Sequence, residues 1–204
     1  MDGSEKLVIK DNYITLEKYG LDHTIMHDAE VLYMKKLSEI VTKNGGDILE
    51  IGFGMHISAD FIQSNKNVTS HTIIEVHPEM YTRALEWAKD KPNTKIIFGD
   101  WINVLPLKDK KFDGIFYDTY NDINQNKILD YLKSNCKPGT IVGLFEYRFF
   151  DTRMNGIRMS IPDEDLKALP TSWVPAFSGN QFELKYTIFN GNDYYNEQPI
   201  KTLI

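Results

Sequence analysis

At 204 residues, with 42% hydrophobic and 25% charged residues and a net charge of −6, the chain has the makeup of one soluble domain with a sizeable core. The acidic balance, with no basic cluster, argues against nucleic acid as a partner. A single cysteine, Cys136, excludes an intrachain disulfide and a cysteine-built zinc site.

The opening from Met1 to Lys6 is polar and lacks the apolar core of a signal peptide, and no apolar run reaches membrane-spanning length. A cytoplasmic protein, monomeric or homodimeric, is the expectation. Residues 1–25 show little periodicity, although Tyr13, Ile14, Leu16, Tyr19 and Leu21 suit a short amphipathic segment. From Asp28 the pattern becomes helical. Val31, Met34, Leu37 and Val41 fall on one face and Lys35, Lys36 and Glu39 on the other, with Asp28 as cap and Asn44-Gly-Gly46 as stop. A short apolar strand then enters the run Asp47-Ile-Leu-Glu-Ile-Gly-Phe-Gly-Met-His-Ile-Ser58, whose glycines make a tight turn into a helix over about 55–63.

Further strands are expected up to Glu75, over 94–98, over 112–118 and over 141–145, with helices from Pro78 to about Lys89 and over roughly 124–133. Strands alternating with helices predict an α/β domain around a mostly parallel sheet. Ligands bind at the C-terminal strand ends of such sheets, which is where Gly52, Glu75, Asp100, Asp118 and Glu146 fall. Residues 148–160 have the polar, basic character of a loop, 162–169 that of a short helix. Residues 172–177 and 181–189 suit two antiparallel strands at the sheet edge.

The turn narrows the ligand. A dinucleotide fingerprint needs a third glycine where Ile57 stands, and the Gly-Lys-Ser/Thr ending of a P-loop is missing. Glu75, ending the next strand, is spaced to accept hydrogen bonds from ribose hydroxyls. A ribose grip without a phosphate grip suits an adenosine cofactor lacking phosphate, S-adenosylmethionine first among them. An ordinary strand-to-helix turn is the plain alternative.

Three stretches, Ile25-Met-His-Asp-Ala-Glu-Val-Leu-Tyr-Met34, Asn44-Gly-Gly-Asp-Ile-Leu-Glu-Ile-Gly-Phe-Gly-Met55 and Phe112-Asp-Gly-Ile-Phe-Tyr-Asp-Thr-Tyr120, resemble guanidinoacetate N-methyltransferase and the related arginine N-methyltransferases. The tail Asp193-Tyr-Tyr195 with Gln198-Pro-Ile200 is similar as well. The resemblance implies a class I methyltransferase fold, Rossmann-like and doubly wound, with an antiparallel C-terminal edge hairpin. It implies one domain over 1–204: an N-terminal segment (1–27) covering the active site, a cofactor-binding core (28–146), and a substrate loop with C-terminal hairpin (147–204).

It further implies S-adenosylmethionine as cofactor, S-adenosylhomocysteine as product, and no metal. Met26, Met34, the turn Gly52, Phe53, Gly54, Met55, His56, Ile57 and Ser58, then Glu75, Val76, Trp101 and Ile102 would hold the cofactor, with Asp118 beside it. Asp100, next to Trp101, is inferred from its position to reach the adenine amino group. Glu30 and Asp118 would clamp the acceptor's guanidinium, with Asp118 taking the proton. Tyr120 would line the acceptor pocket.

The chain departs from the family pattern at Ala29, at Ile102, and at Phe145-Glu146, where the family has Cys-Asn. A third carboxylate at Glu146 would favour an acceptor of greater positive charge. The expected function is therefore N-methylation of a small guanidino compound, guanidinoacetate-like or arginine-like. Methylation of another small amine or heterocycle is the alternative. A binding module that kept the fold without the reaction is a third reading. His23 and His27 are four apart but have no further ligands to make a metal site.

Overall fold

The computed structural model describes residues 4–19, 24–120, 127–145, 155–160 and 181–195. Its central sheet is built from β4 (Gly46–Ile51), β5 (Val68–Glu75), β6 (Thr94–Phe98), β7 (Phe112–Tyr117) and β8 (Cys136–Leu144), which pair in parallel. The long β10 (Gln181–Phe189) adds antiparallel to β8, and carries β9 (Asn155–Ser160) and β11 (Tyr194–Tyr195). The order is β11-β10-β8-β7-β4-β5-β6. Strand order reverses at β4, which makes the space above its C-terminal end the natural ligand crevice.

The apolar runs of the central strands bury both faces, as parallel strands between helices must. Ile48, Phe116 and Ile141 face one side with Leu37, Ile40 and Val41 of α1 (Val31–Val41), while Leu49, Ile115 and Val142 face the other with Leu129 and Leu132 of α5 (Ile128–Leu132). α1 lies close on the sheet because Gly114 and Gly143 present no side chain: an added Cβ would stand 2.2 Å from the Val41 carbonyl oxygen and 2.7 Å from Leu37 Cδ1 respectively.

The start of α1 differs from expectation. Residues Asp28–Glu30 form a 3-10 turn, and the helix begins with no side-chain cap, Asp28 instead pairing with His27 Nδ1 at 2.8 Å. A missing cap costs about 1 kcal/mol. Burying Tyr33, Met34, Leu37, Ile40 and Val41 returns roughly 1.5–3 kcal/mol each, so packing decides the boundary. Val31, expected on the buried face, is 41% exposed.

Two further elements correct the sequence reading. The N-terminal stretch is a three-stranded antiparallel sheet of β1 (Leu7–Ile9), β2 (Tyr13–Leu16) and β3 (Thr24–His27). Residues 155–160, expected in a loop, are strand β9, paired with β10 from Gln181↔Ser160 to Tyr186↔Asn155. The expected strand at 172–177 and helix at 162–169 lie outside the described residues. The glycine turn enters α2 (Ile57–Ser64), and Pro78 opens α3 (Pro78–Trp87) at its first turn. Among the described residues no helix is long and apolar enough to cross a membrane.

Candidate active site

A cleft of about 500 Å³ opens above the C-terminal ends of β4, β5 and β7. Its floor is the turn Gly52–Gly54, one side Glu75 and Val76 with Gly99, Asp100 and Trp101, and the other Asp118, Thr119 and Tyr120. The N-terminal sheet forms the remaining wall with Leu7, Ile14, Ile25 and Met26, and contributes Glu5. That wall is docked by a cluster of Leu7, Ile14 and Leu16 with Met80 of α3, and by a 2.8 Å hydrogen bond between His77 Nε2 and the Glu5 carbonyl. Sequence reasoning expected residues 1–27 over the site but did not read their strands. The alternation in 7–16 was the available signal, but its runs are too short to separate from a loop.

The turn is held from several sides. Gly52 N–H donates to the Ile74 carbonyl (2.8 Å), Phe53 N–H to Glu75 Oε2 (2.9 Å), and Met55 N–H to Met26 Sδ (3.0 Å). Glu75 Oε1 also accepts the His77 N–H at 2.7 Å. Burial pushes the Glu75 carboxyl upward, and these backbone donors oppose the rise. Gly52 has φ 93, and the space an added Cβ would fill is occupied by the Asp118 carbonyl oxygen, 1.9 Å away. At Gly54 the corresponding space holds Met26 Sδ, at 2.5 Å. Both glycines thus admit neighbouring protein atoms.

Beneath the turn Glu50 is fully buried. One oxygen accepts the Ser58 hydroxyl and the other stands 2.9 Å from His71 Nε2, out of line for a hydrogen bond; the other ring nitrogen of His71 meets Gln63 at 3.2 Å. Removing one member of a buried polar network leaves its partners unsatisfied. Glu50→Ala is therefore expected to lower the unfolding free energy by about 1–3 kcal/mol in urea titrations; an unchanged midpoint would count against a structural role for the network.

Glu30 closes the 3-10 turn ahead of α1 and is 3% exposed. Oε1 accepts the His27 N–H at 3.0 Å. Burial pushes its carboxyl well above the usual range, the Asp118 charge adds to the rise, and the His27 N–H opposes it. Among the described residues Glu30 makes no ion pair.

Of the remaining sequence-predicted residues, Met26, Val76, Asp100, Trp101 and Tyr120 line the cleft. Asp100 also caps the short α4 (Trp101–Val104), accepting the Ile102 N–H at 3.1 Å. Met34 is fully buried in the core, Ile102 packs on the other core cluster, and Ser58 is turned to Glu50. Ile57 opens α2 just beyond the turn. His56 takes a left-handed conformation (φ 55), with Nδ1 2.8 Å from Asp60 Oδ2. Glu146 lies outside the described residues, as does His23. Among the described residues no group of three or more His, Cys, Asp or Glu side chains is placed to hold a metal ion.

The strand order, the glycine turn at the reversal point and the acids at the strand ends define the class I S-adenosylmethionine-dependent methyltransferase fold. The chain belongs to the guanidinoacetate N-methyltransferase family, whose family model matches residues 11–138. It is similar to protein arginine N-methyltransferase 2 of Kluyveromyces lactis (32% identical over 143 residues, 66% of this chain and 33% of that protein) and of Saccharomyces cerevisiae (34% over 133 residues, 59% and 32%). The chain thus spans about a third of the length of those relatives. Among solved structures, spermidine synthase in complex with AdoDATO shares the fold at TM-score 0.58 and 12% identity, covering 96% of this chain and 75% of that one. The putative methyltransferase of the Haloferax volcanii Trm112 complex shares it at TM-score 0.53 and 14% identity, covering 79% and 94%.

Proposed function

We propose that the chain is an S-adenosylmethionine-dependent N-methyltransferase acting on a small guanidino compound, guanidinoacetate-like or arginine-like. The observation that carries this is a deeply buried carboxylate, Glu30, which accepts the His27 N–H and feels the negative charge of Asp118, an acid that lines the cleft. Acids that repel one another in a low-dielectric site favour a proton or a cation between them. A guanidinium is planar and always charged, and matches paired carboxylates by charge-assisted hydrogen bonds. The family's name and the name of the yeast relatives both specify an acceptor of that chemistry.

The cleft fits the cofactor. Its volume is that of a small-molecule site, its walls mix apolar residues with acids, and the Glu75 carboxylate keeps acceptor capacity beyond its backbone donors. Glu75 would take the ribose hydroxyls, Trp101 and Val76 would flank the adenine, and the second Asp100 oxygen would face its amino group. Met26, Gly52 and Gly54 would border the sulfur end. Met34, Met55, Ile57 and Ser58 would support that end from the core and the start of α2, Ile102 would support the adenine side, and His56 turns to Asp60. When bound, S-adenosylmethionine supplies an electrophilic methyl group.

Glu30 and Asp118 would hold the guanidinium plane and direct one nitrogen at that methyl group. Methylation makes the nitrogen acidic, and Asp118 would accept its proton. Tyr120 would border the acceptor. Methylation of another small amine or heterocycle is the alternative, because the same carboxylates would hold an ammonium.

Asp118→Asn is expected to cut turnover by about 10²–10⁴ while S-adenosylhomocysteine binding stays within about 3-fold, measured by calorimetry. Retained turnover would remove Asp118 from the reaction. A panel of guanidino compounds and simple amines, read by mass gain, separates the two acceptor classes.

A further inference from the structure

Thr119 follows Asp118 at the end of β7 and lines the cleft. Its hydroxyl oxygen is sealed from solvent and has no hydrogen-bond partner among the described residues, while the residue as a whole keeps partial exposure. That exposure therefore lies on its other atoms. An unsatisfied buried hydroxyl is costly, and valine would fill the same volume without that cost. Rotation to another staggered χ1 well gives up no hydrogen bond. A ligand atom that accepts from it in that orientation relieves the orphaned group.

The cleft indicates which ligand atom that is. Among its described lining residues Glu5, Glu75, Asp100 and Asp118 are acids, and none is lysine, arginine or histidine. Side-chain donors come from Trp101, Thr119 and Tyr120, and the first and last already have other interactions. Four N–H groups of the turn are engaged within the chain, those of Gly52, Phe53, Met55 and His56. Thr119 sits next to Gly52, its N 4.0 Å from the position of an added Cβ there. Two strand spacings of roughly 5 Å separate β7 from β5, which carries Glu75.

With the ribose held at Glu75, the amino-acid end of the cofactor would have the ends of β4 and β7 within reach. Its ammonium has acids to meet. Its carboxylate accepts only, and needs a donor.

We infer that Thr119 is a positioning residue, its hydroxyl turning into the cleft to donate a hydrogen bond to the α-carboxylate of the methyl donor. This rests on the cofactor reading above. The test compares S-adenosylhomocysteine with 5′-methylthioadenosine, which lacks the amino-acid end, by calorimetry on the full chain. Thr119→Val is expected to weaken S-adenosylhomocysteine about 10-fold and to leave 5′-methylthioadenosine within about 2-fold, with Thr119→Ser restoring the difference. Equal binding of S-adenosylhomocysteine by wild type and Thr119→Val overturns the inference alone. So does a parallel loss for both ligands, which marks a structural role. Wild-type protein that binds neither ligand overturns the cofactor reading itself.

Discussion

Glu30→Gln is expected to give a protein that is more stable at alkaline pH and almost inactive. The ordinary glutamate value is near 4.5, and burial raises Glu30 well above it in the folded chain. The folded state therefore holds a proton that the unfolded state releases. Stability from this group is complete below the unfolded value and is lost as pH rises through the folded one. Glutamine has no such proton to lose. It keeps an oxygen for the His27 N–H and offers its amide to Asp118. The thermal midpoint of Glu30→Gln should therefore exceed wild type at pH 8, and the gap should narrow toward pH 5. Turnover should fall by about 10² or more, because a neutral amide cannot form the second charge-assisted bond to a guanidinium. A lower midpoint at pH 8 would mean that Glu30 is satisfied as an anion, and the clamp would lose its main support.

Gly52→Ala carries the second large effect, through backbone alone. The residue has φ 93, and its new methyl would stand 1.9 Å from the Asp118 carbonyl oxygen. Three strands meet at this point, with Gly52 N–H bonded to the Ile74 carbonyl and Asp118 N–H to the Ile51 carbonyl. Relief requires moving the end of β7, and Asp118 with it. The expected loss is about 3 kcal/mol or more in denaturation, with turnover of the folded fraction down at least 10²-fold. Gly54→Ala is the contrast. Its methyl meets the thioether of Met26, a flexible side chain that can swing away, at φ 49, so the stability loss should be smaller, about 1–2 kcal/mol. Equal losses at the two positions would show that φ and not the Asp118 contact is decisive.

These two cases show how far the sequence carried the argument. The run 47–58, the acid at Glu75 and the strand ending at Asp118 were legible because each depends on local pattern: apolar runs, paired glycines and an acid at a strand end. The purpose of Gly52 was not legible, since its reason is a carbonyl sixty-six residues later in the chain. The N-terminal strands were illegible for a similar cause. Segments of three or four residues carry too little alternation, and their partner surface, Met80 on α3, is distant in sequence. Glu30 stands out only through the resemblance, and its burial at the end of the 3-10 turn has no local sequence signal. The orphaned hydroxyl of Thr119 has no sequence signature at all.

The two walls of the cleft are fastened differently. The core wall is stitched by the hydrogen-bond ladder of the sheet, whereas among the described residues the N-terminal sheet forms no ladder with it and is docked through Leu7, Ile14, Leu16 and Met80 and the bond between His77 and Glu5. A substitution in the first wall propagates along three strands, as at Gly52. A substitution in the second meets side-chain packing on β1–β3 with no ladder to carry it further. Redrawing the side chains of that wall would thus reshape the cleft while the strand ends of β4, β5 and β7 stay in place.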